Sequence, residues 1–388
     1  MDAGAHERQR EAVHAVVSAV KLLLAGLVAS SLLAGVLGGL LRAGVHLPGL
    51  ADRAWLGQAL VSHAALMICG FFGSVIGIER AVAVKLRVAF AVPLACGAAT
   101  ISLLGGHVAA AGALLLVAAV TFVAVNIVIV RRQRAAHTIA LLASALAWLV
   151  GNGLFAVGGD GGAILSWWFA FLVLTIAAER LEMTRLMRHR RGALPSFCAI
   201  VSAMLAAAAW ASVSPAMGGV LYGLALALLA AWLVVFDIAR RTVTAHGLSR
   251  YMAMCLLGGY GWLAIAGAAW AAMSLGFPTR DIALHALGLG FVMSMVMAHA
   301  PMVLPAIARV KLQFGWPFYL PVAALHASLA IRLGLGATHD GALLNAAALA
   351  LFAITVLGGA LAWRPRRRTP PVIDSALVPG QGRAQGPR

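Results

Sequence analysis

Two histidines stand inside long apolar stretches of this 388-residue chain, His63 in HAALMICGFF and His285 in HALGLGFVMS. An imidazole removed from water must be paired or put to use, because burying an ionisable side chain without a partner is costly. Both segments open with His-Ala. Counting about 1.5 Å per residue, His63 lies roughly 10 Å and His285 roughly 6 Å in from the same edge of its apolar span. Two imidazoles at one depth on two helices can fill both axial positions of a haem iron. The alternatives are proton or substrate handling, or a plain hydrogen bond to a neighbouring helix.

Two further histidines belong with this pair. His299, in HAPMVLP, is 14 residues after His285, so on an unbroken helix it sits about 21 Å deeper and about 40° around the axis. Pro301 and Pro305 follow it and are expected to break or kink the helix, freeing carbonyls near the imidazole. His326 lies beside Pro321 in the next span. His299 and His326 are therefore candidate ligands of a second metal or haem site, with copper as one candidate ion. The other histidines fall in loops or at edges, His137 being borderline.

The elements that position these residues follow from composition. With 62% hydrophobic and 11% charged residues, the chain lacks the polar surface of a soluble globule. Apolar runs of about 20 residues match the bilayer core, where helices satisfy their own backbone. The expected fold is all-α and polytopic, with about twelve transmembrane helices at 18–41, 56–78, 87–105, 108–130, 137–157, 163–180, 193–213, 216–238, 249–275, 281–303, 315–333 and 341–363. Residues 1–17 form a short cytoplasmic leader, 18–363 a single membrane domain, and 364–388 a Pro-, Gly- and Arg-rich tail expected to be disordered. The first apolar run is too long for a cleaved signal peptide and is expected to be retained.

A net charge of +17 would suggest nucleic acid in a soluble protein, but here the cations sort by loop. With the N-terminus cytoplasmic, 25 of the 29 Lys and Arg fall inside, leaving Arg42, Arg53, Arg280 and Arg332 outside. Both termini are then cytoplasmic, the partner of the surface is lipid and not nucleic acid, and His63 and His285 lie in the outer third. Cys69, Cys96, Cys198 and Cys255 sit on four different spans without metal-ligand spacing, and are expected to be small packing residues. Walker, Gly-x-Ser-x-Gly, His-Glu-x-x-His and Cys-x-x-Cys-His sequences are absent, which argues against a hydrolase, an ATPase or covalent haem.

A repeat runs through the spans. Span 2 ends IGIER and span 6 ends IAAER, while spans 2 and 10 share the His-Ala opening. A three-fold repeat of four helices accounts for both likenesses. Glu79-Arg80 and Glu179-Arg180 are expected to be paired anchors at the cytoplasmic surface, with proton uptake as the alternative for the two acids.

At these residues the chain resembles the NnrS family of bacterial membrane proteins. His63, Ala64, Met67, Gly70 and Phe71 match that family's His-Ala-His-Glu-Met-x-x-Gly-Phe motif, with Ala65 and Leu66 standing where the family has His and Glu. His285, Ala286, Leu287, Gly290, Met293, Met295 and Met297 match its late His-Ala-Leu and Gly/Met-rich helix. The resemblance implies a multi-pass protein of the bacterial cytoplasmic (inner) membrane that binds haem or copper and serves the nitric oxide response or electron transfer. A membrane redox partner, or a small molecule such as nitric oxide, would be its partner. Twelve helices with ligands on the second and tenth are also similar to the catalytic subunit of haem-copper oxidases, whose low-spin haem lies between those helices. Spans 6 and 7 contain no histidine, so the copper-ligand cluster has no counterpart. The rivals are a twelve-helix secondary transporter using its intramembrane histidines, and a membrane-complex subunit without a ligand. For the expected topology, a reporter that fluoresces only in the cytoplasm should be bright when fused after residue 388 and dark when inserted in GGDGG at 158–162; the opposite pattern would invert the frame.

Overall fold

The computed structural model describes residues 3–49, 53–184, 191–308, 311–336 and 338–362, with backbone alone for 3–18 and 306–308. The tail at 364–388 and Arg185, Arg188, Arg190 and Arg309 lie outside the described residues, as do the leader's side chains. Among the described residues every element is helical and no strand occurs, the arrangement in which each backbone amide is satisfied within its own segment.

Helix α1 is Ala3–Arg42, so its backbone continues through most of the leader. Helix α2 is built in pieces, Ala54–Val61, His63–Ala65, a π-helical stretch Leu66–Phe72, and Gly73–Val84. Then come α3 (Ala91–Leu104), α4 (Val108–Arg132), α5 (Ala136–Ala156), α6 (Gly161–Met183), α7 (Ala193–Ala211), α8 (Pro215–Phe236) and α9 (Gly247–Ser274). Helix α10 is again composite, Arg280–His285, π-helical Ala286–Met293 and Ser294–Ala308, followed by α11 (Tyr319–Gly334) and α12 (Thr338–Leu361).

Eleven of these helices are long and apolar enough to cross a membrane. The twelfth, at the expected span 315–333, is a 3₁₀ turn, Trp316–Phe318, that runs directly into the 16-residue α11; together they reach about 30 Å at about 1.5–2 Å per residue, with His326 and Arg332 lowering the apolar content.

Helix α6 is the most enclosed, with 78% of its most apolar stretch buried against 56% or less in every other span. Helix α6 packs against the π-helical stretches of both α2 and α10, and α12 lies against α1 and α11, closing the bundle. A buried polar knot ties the centre together: Trp168 Nε1 donates to Asn152 Oδ1 at 2.8 Å, Asn152 Nδ2 donates to the Leu115 carbonyl at 2.9 Å, and Cys69 Sγ meets Asn152 Oδ1 at 3.5 Å. Trp148 stacks on Phe171 at 4.8 Å, with Phe122 edge-on to both. Cys69, Cys96 and Cys255 are buried as expected, but Cys198 is exposed.

The prolines of α10 do not break it, since one helix runs from Ser294 to Ala308 through Pro301 and Pro305. Pro301 lacks the amide that would bond the Met297 carbonyl. The Tyr251 hydroxyl of α9 donates to that carbonyl at 3.0 Å instead. The π-helical turns between His285 and His299 also void the 40° estimate, because a helix with i→i+5 bonds turns less per residue than an α-helix.

At the cation-rich end, Arg80 and Arg180 join helices together, Arg80 also pairing with Glu79 beside it at 3.6 Å. Arg80 of α2 pairs with Glu179 of α6. Arg180 of α6 forms a two-pronged pair with Asp237 just after α8, at 2.6 and 3.1 Å, and the Tyr260 hydroxyl of α9 donates to the same carboxylate at 2.8 Å. Arg180 and Asp237 are both buried. Removing one partner of such a pair leaves an uncompensated charge, at a cost of about 3–5 kcal/mol. Arg180→Ala and Asp237→Ala should each lower the melting temperature of the purified protein sharply, and the double variant should lose less than the sum; additive losses would show that the pair is not coupled.

Candidate functional site

The site begins with the glycines of α1. A Cβ at Gly38 would lie 2.2 Å from the Ala59 carbonyl oxygen, and one at Gly35 would lie 2.5 Å from Met67 Sδ. Helix α1 therefore meets α2 almost backbone to backbone, a packing that small residues permit. Within that contact the Gly35 carbonyl accepts a hydrogen bond from His63 Nδ1 at 2.7 Å, and Gly39 lies against the His63 ring.

On α10, His285 closes the short helix that precedes the π-helical stretch. Its Nδ1 lies 3.1 Å from the Asp281 carbonyl oxygen and 2.8 Å from Asp281 Oδ1. The carboxylate is held in turn by Arg332 of α11, Nε to Oδ2 at 3.0 Å and Nη2 to Oδ1 at 2.8 Å. Arg332 is buried, and Asp281 is partly exposed.

These acceptors fix the tautomers. A carbonyl or carboxylate oxygen can only accept, so Nδ1 carries the proton in both rings and the lone pair of each neutral imidazole is on Nε2. The ring centroids are 6.5 Å apart with 26° between planes. That is too far for direct contact between stacked rings. It is close to the span of two metal–imidazole bonds in line, about 2.0 Å each plus a ring radius of about 1.1 Å on either side.

Both histidines line one cavity of about 680 Å³, within the usual range for a bound small molecule. Its walls are mostly apolar, with Ile68, Phe72, Trp168, Phe169 and Leu289 among them. The polar lining is distinctive. Arg42, Arg280 and Arg332, three of the four cations that fall outside in the sequence, all reach this cavity. Residues that break the charge rule thus gather at one place, and the cations of the opposite end are absent from it. The same π-helical interruption follows each histidine, at Leu66–Phe72 and Ala286–Met293, and such turns recur at functional sites.

His299 and His326 are not among the residues lining this cavity. His299 Nδ1 donates to the Met295 carbonyl of its own helix at 2.8 Å, which leaves its Nε2 lone pair available as in His63. His326 Nδ1 accepts from Trp262 Nε1 at 2.7 Å, with the rings parallel to within 1°. That bond puts the proton of a neutral His326 on Nε2 and leaves no lone pair for a metal. Among the described residues, no group of three or more His, Cys, Asp or Glu side chains is placed to hold a metal ion. A haem needs only two, because the macrocycle supplies four nitrogens, whereas a structural zinc site takes four protein ligands.

The residues missed in the sequence are Gly35, Gly39, Asp281 and Arg332. The signals that would have found them are the 281/285 spacing of one helical turn and the exceptional outer position of Arg332.

The fold and site define a polyhelical protein with a paired-imidazole cavity at its cation-poor end. The chain belongs to a family described as a domain of unknown function, DUF8744, which it matches over residues 20–361. No curated protein and no solved structure matches it.

The fit of Gly39 against His63 is testable without any ligand. A Cβ there would lie 2.7 Å from His63 Cε1, whereas one at Gly26 of the same helix meets nothing within 4 Å. Gly39→Ala should cost about 1–3 kcal/mol by overpacking, while Gly26→Ala, which adds a methyl in open space within a helix, should leave thermal stability in detergent equal or slightly raised; equal destabilisation by both would refute the close approach.

Proposed function

We propose that this chain is an integral membrane haem protein with both termini cytoplasmic, His63 and His285 as the two axial ligands, and electron transfer as its role. The observation that carries it is the His63–His285 geometry, 6.5 Å between ring centroids with both Nδ1 protons already committed and both Nε2 lone pairs left over. The residues fit the group in other respects. The cavity is large and apolar, and its cationic lining suits the carboxylates of a porphyrin.

Membrane insertion is supported by eleven apolar helices and by exposed Val117, Val120, Ile139, Leu228 and Ile354 on their outer faces, side chains suited to lipid. Orientation is supported by the cation count. An NnrS-like place in nitrosative stress is compatible with this, and it favours delivery of electrons to a membrane redox partner, since two imidazoles fill both axial positions and leave none open for nitric oxide.

When bound, the haem would supply the one-electron couple. The chain's own part is to hold two imidazoles in fixed tautomers, exclude water with apolar walls, and set the charge around them. Protein purified from haem-sufficient cells should show a Soret band with the visible bands of low-spin bis-imidazole haem, and His63→Ala and His285→Ala should each abolish or shift it. A folded wild-type protein without a Soret band, or variants with unchanged spectra, would overturn the assignment and leave the cavity to a transported solute.

A further inference from the structure

The two imidazoles are held by unlike partners. His63 donates to a neutral backbone carbonyl at 2.7 Å, whereas His285 Nδ1 faces both the Asp281 carbonyl at 3.1 Å and the Asp281 carboxylate at 2.8 Å, the latter gripped by Arg332. Among the described residues Asp281 is the one acid lining the cavity. We infer that Asp281, positioned by Arg332, sets the reduction potential of the site through His285. This inference rests on the haem assignment above.

The physical basis is the pull of the acceptor on the Nδ1 proton. A carboxylate draws that proton more strongly than a carbonyl does, and so raises the electron density at Nε2. A more electron-rich imidazole favours the ferric over the ferrous state and lowers the potential. Reduction takes up one electron from an external donor, iron(III) going to iron(II), and the proton stays on His285 Nδ1.

Arg332 acts on the effect in two opposing ways. Its guanidinium neutralises much of the carboxylate charge, and its two bonds at 3.0 and 2.8 Å keep Asp281 aimed at His285. Its own position is held by α12, because a Cβ at Gly341 would lie 2.4 Å from Arg332 Cβ. Helix α11 is thus a brace for the acid. Asp281 acts through His285, so it is a positioning residue and not a ligand.

The test is a dithionite redox titration of the full-length protein in detergent, followed at the Soret band. Asp281→Asn keeps an oxygen acceptor and removes the charge, and should raise the midpoint by about 59 mV or more, a tenfold change in the one-electron equilibrium. Asp281→Glu should restore most of the difference. Arg332→Gln should move the midpoint the opposite way, downwards, and low-spin ferric g-values should shift in step. Asp340→Asn, which removes an equal charge from an exposed site, should change nothing. If one variant fails to fold, the sign of the other decides. A wild-type Soret band with an unmoved midpoint in Asp281→Asn would overturn this inference and leave the haem assignment standing. Absence of the band in wild type would overturn the assignment itself.

Discussion

An imidazole surrounded by apolar side chains must give its Nδ1 proton to something, and at the cation-poor end of this protein two such donations organise everything else. The acceptor for His63 is Gly35, a main-chain carbonyl of a neighbouring helix. Reaching it requires two backbones to approach far closer than ordinary side chains allow, which accounts for glycine at 35, 38 and 39. The acceptor for His285 is an acid one turn earlier on its own helix. A carboxylate in such surroundings needs a cation, and that cation is Arg332 on α11. The two solutions recruit different parts of the chain, so a nearly symmetric pair of histidines ends up in an asymmetric setting.

The opposite end is held by charge. Arg80 with Glu179, and Arg180 with Asp237 and Tyr260, link α2, α6, α8 and α9 in one connected network. Between the ends, the Asn152 knot and the Trp148–Phe171 stack fix α6 against its neighbours. A central helix so tied is a rigid reference against which the helices carrying His63 and His285 can be set.

Hydropathy made most of the helices legible in the sequence, because length and apolar content are local properties of each segment. The span at 315–333 is the least apolar of the set, because Pro317, His326 and Arg332 dilute its hydropathy. The likeness of spans 2, 6 and 10 was visible in IGIER, IAAER and the shared His-Ala. Their partners were not, since Arg80 reaches a residue 99 positions away and Arg180 one 57 away. The His63 and His285 pair was found by chemistry alone, but the π-helical turns beside each histidine leave no mark in composition. Of the break or kink expected at Pro301, the freed carbonyl is there but the helix is continuous, because the compensating hydroxyl belongs to Tyr251 on another helix.

The closure of the bundle, with α12 lying against α1, has a consequence for biosynthesis. Gly35 and His63 leave the ribosome early, while His285, Arg332 and the helix that braces it belong to the last third of the chain. The pocket has no complete wall until the final helices arrive, and until then His63 faces no second imidazole. A ligand of this cavity would therefore be acquired by an almost finished protein.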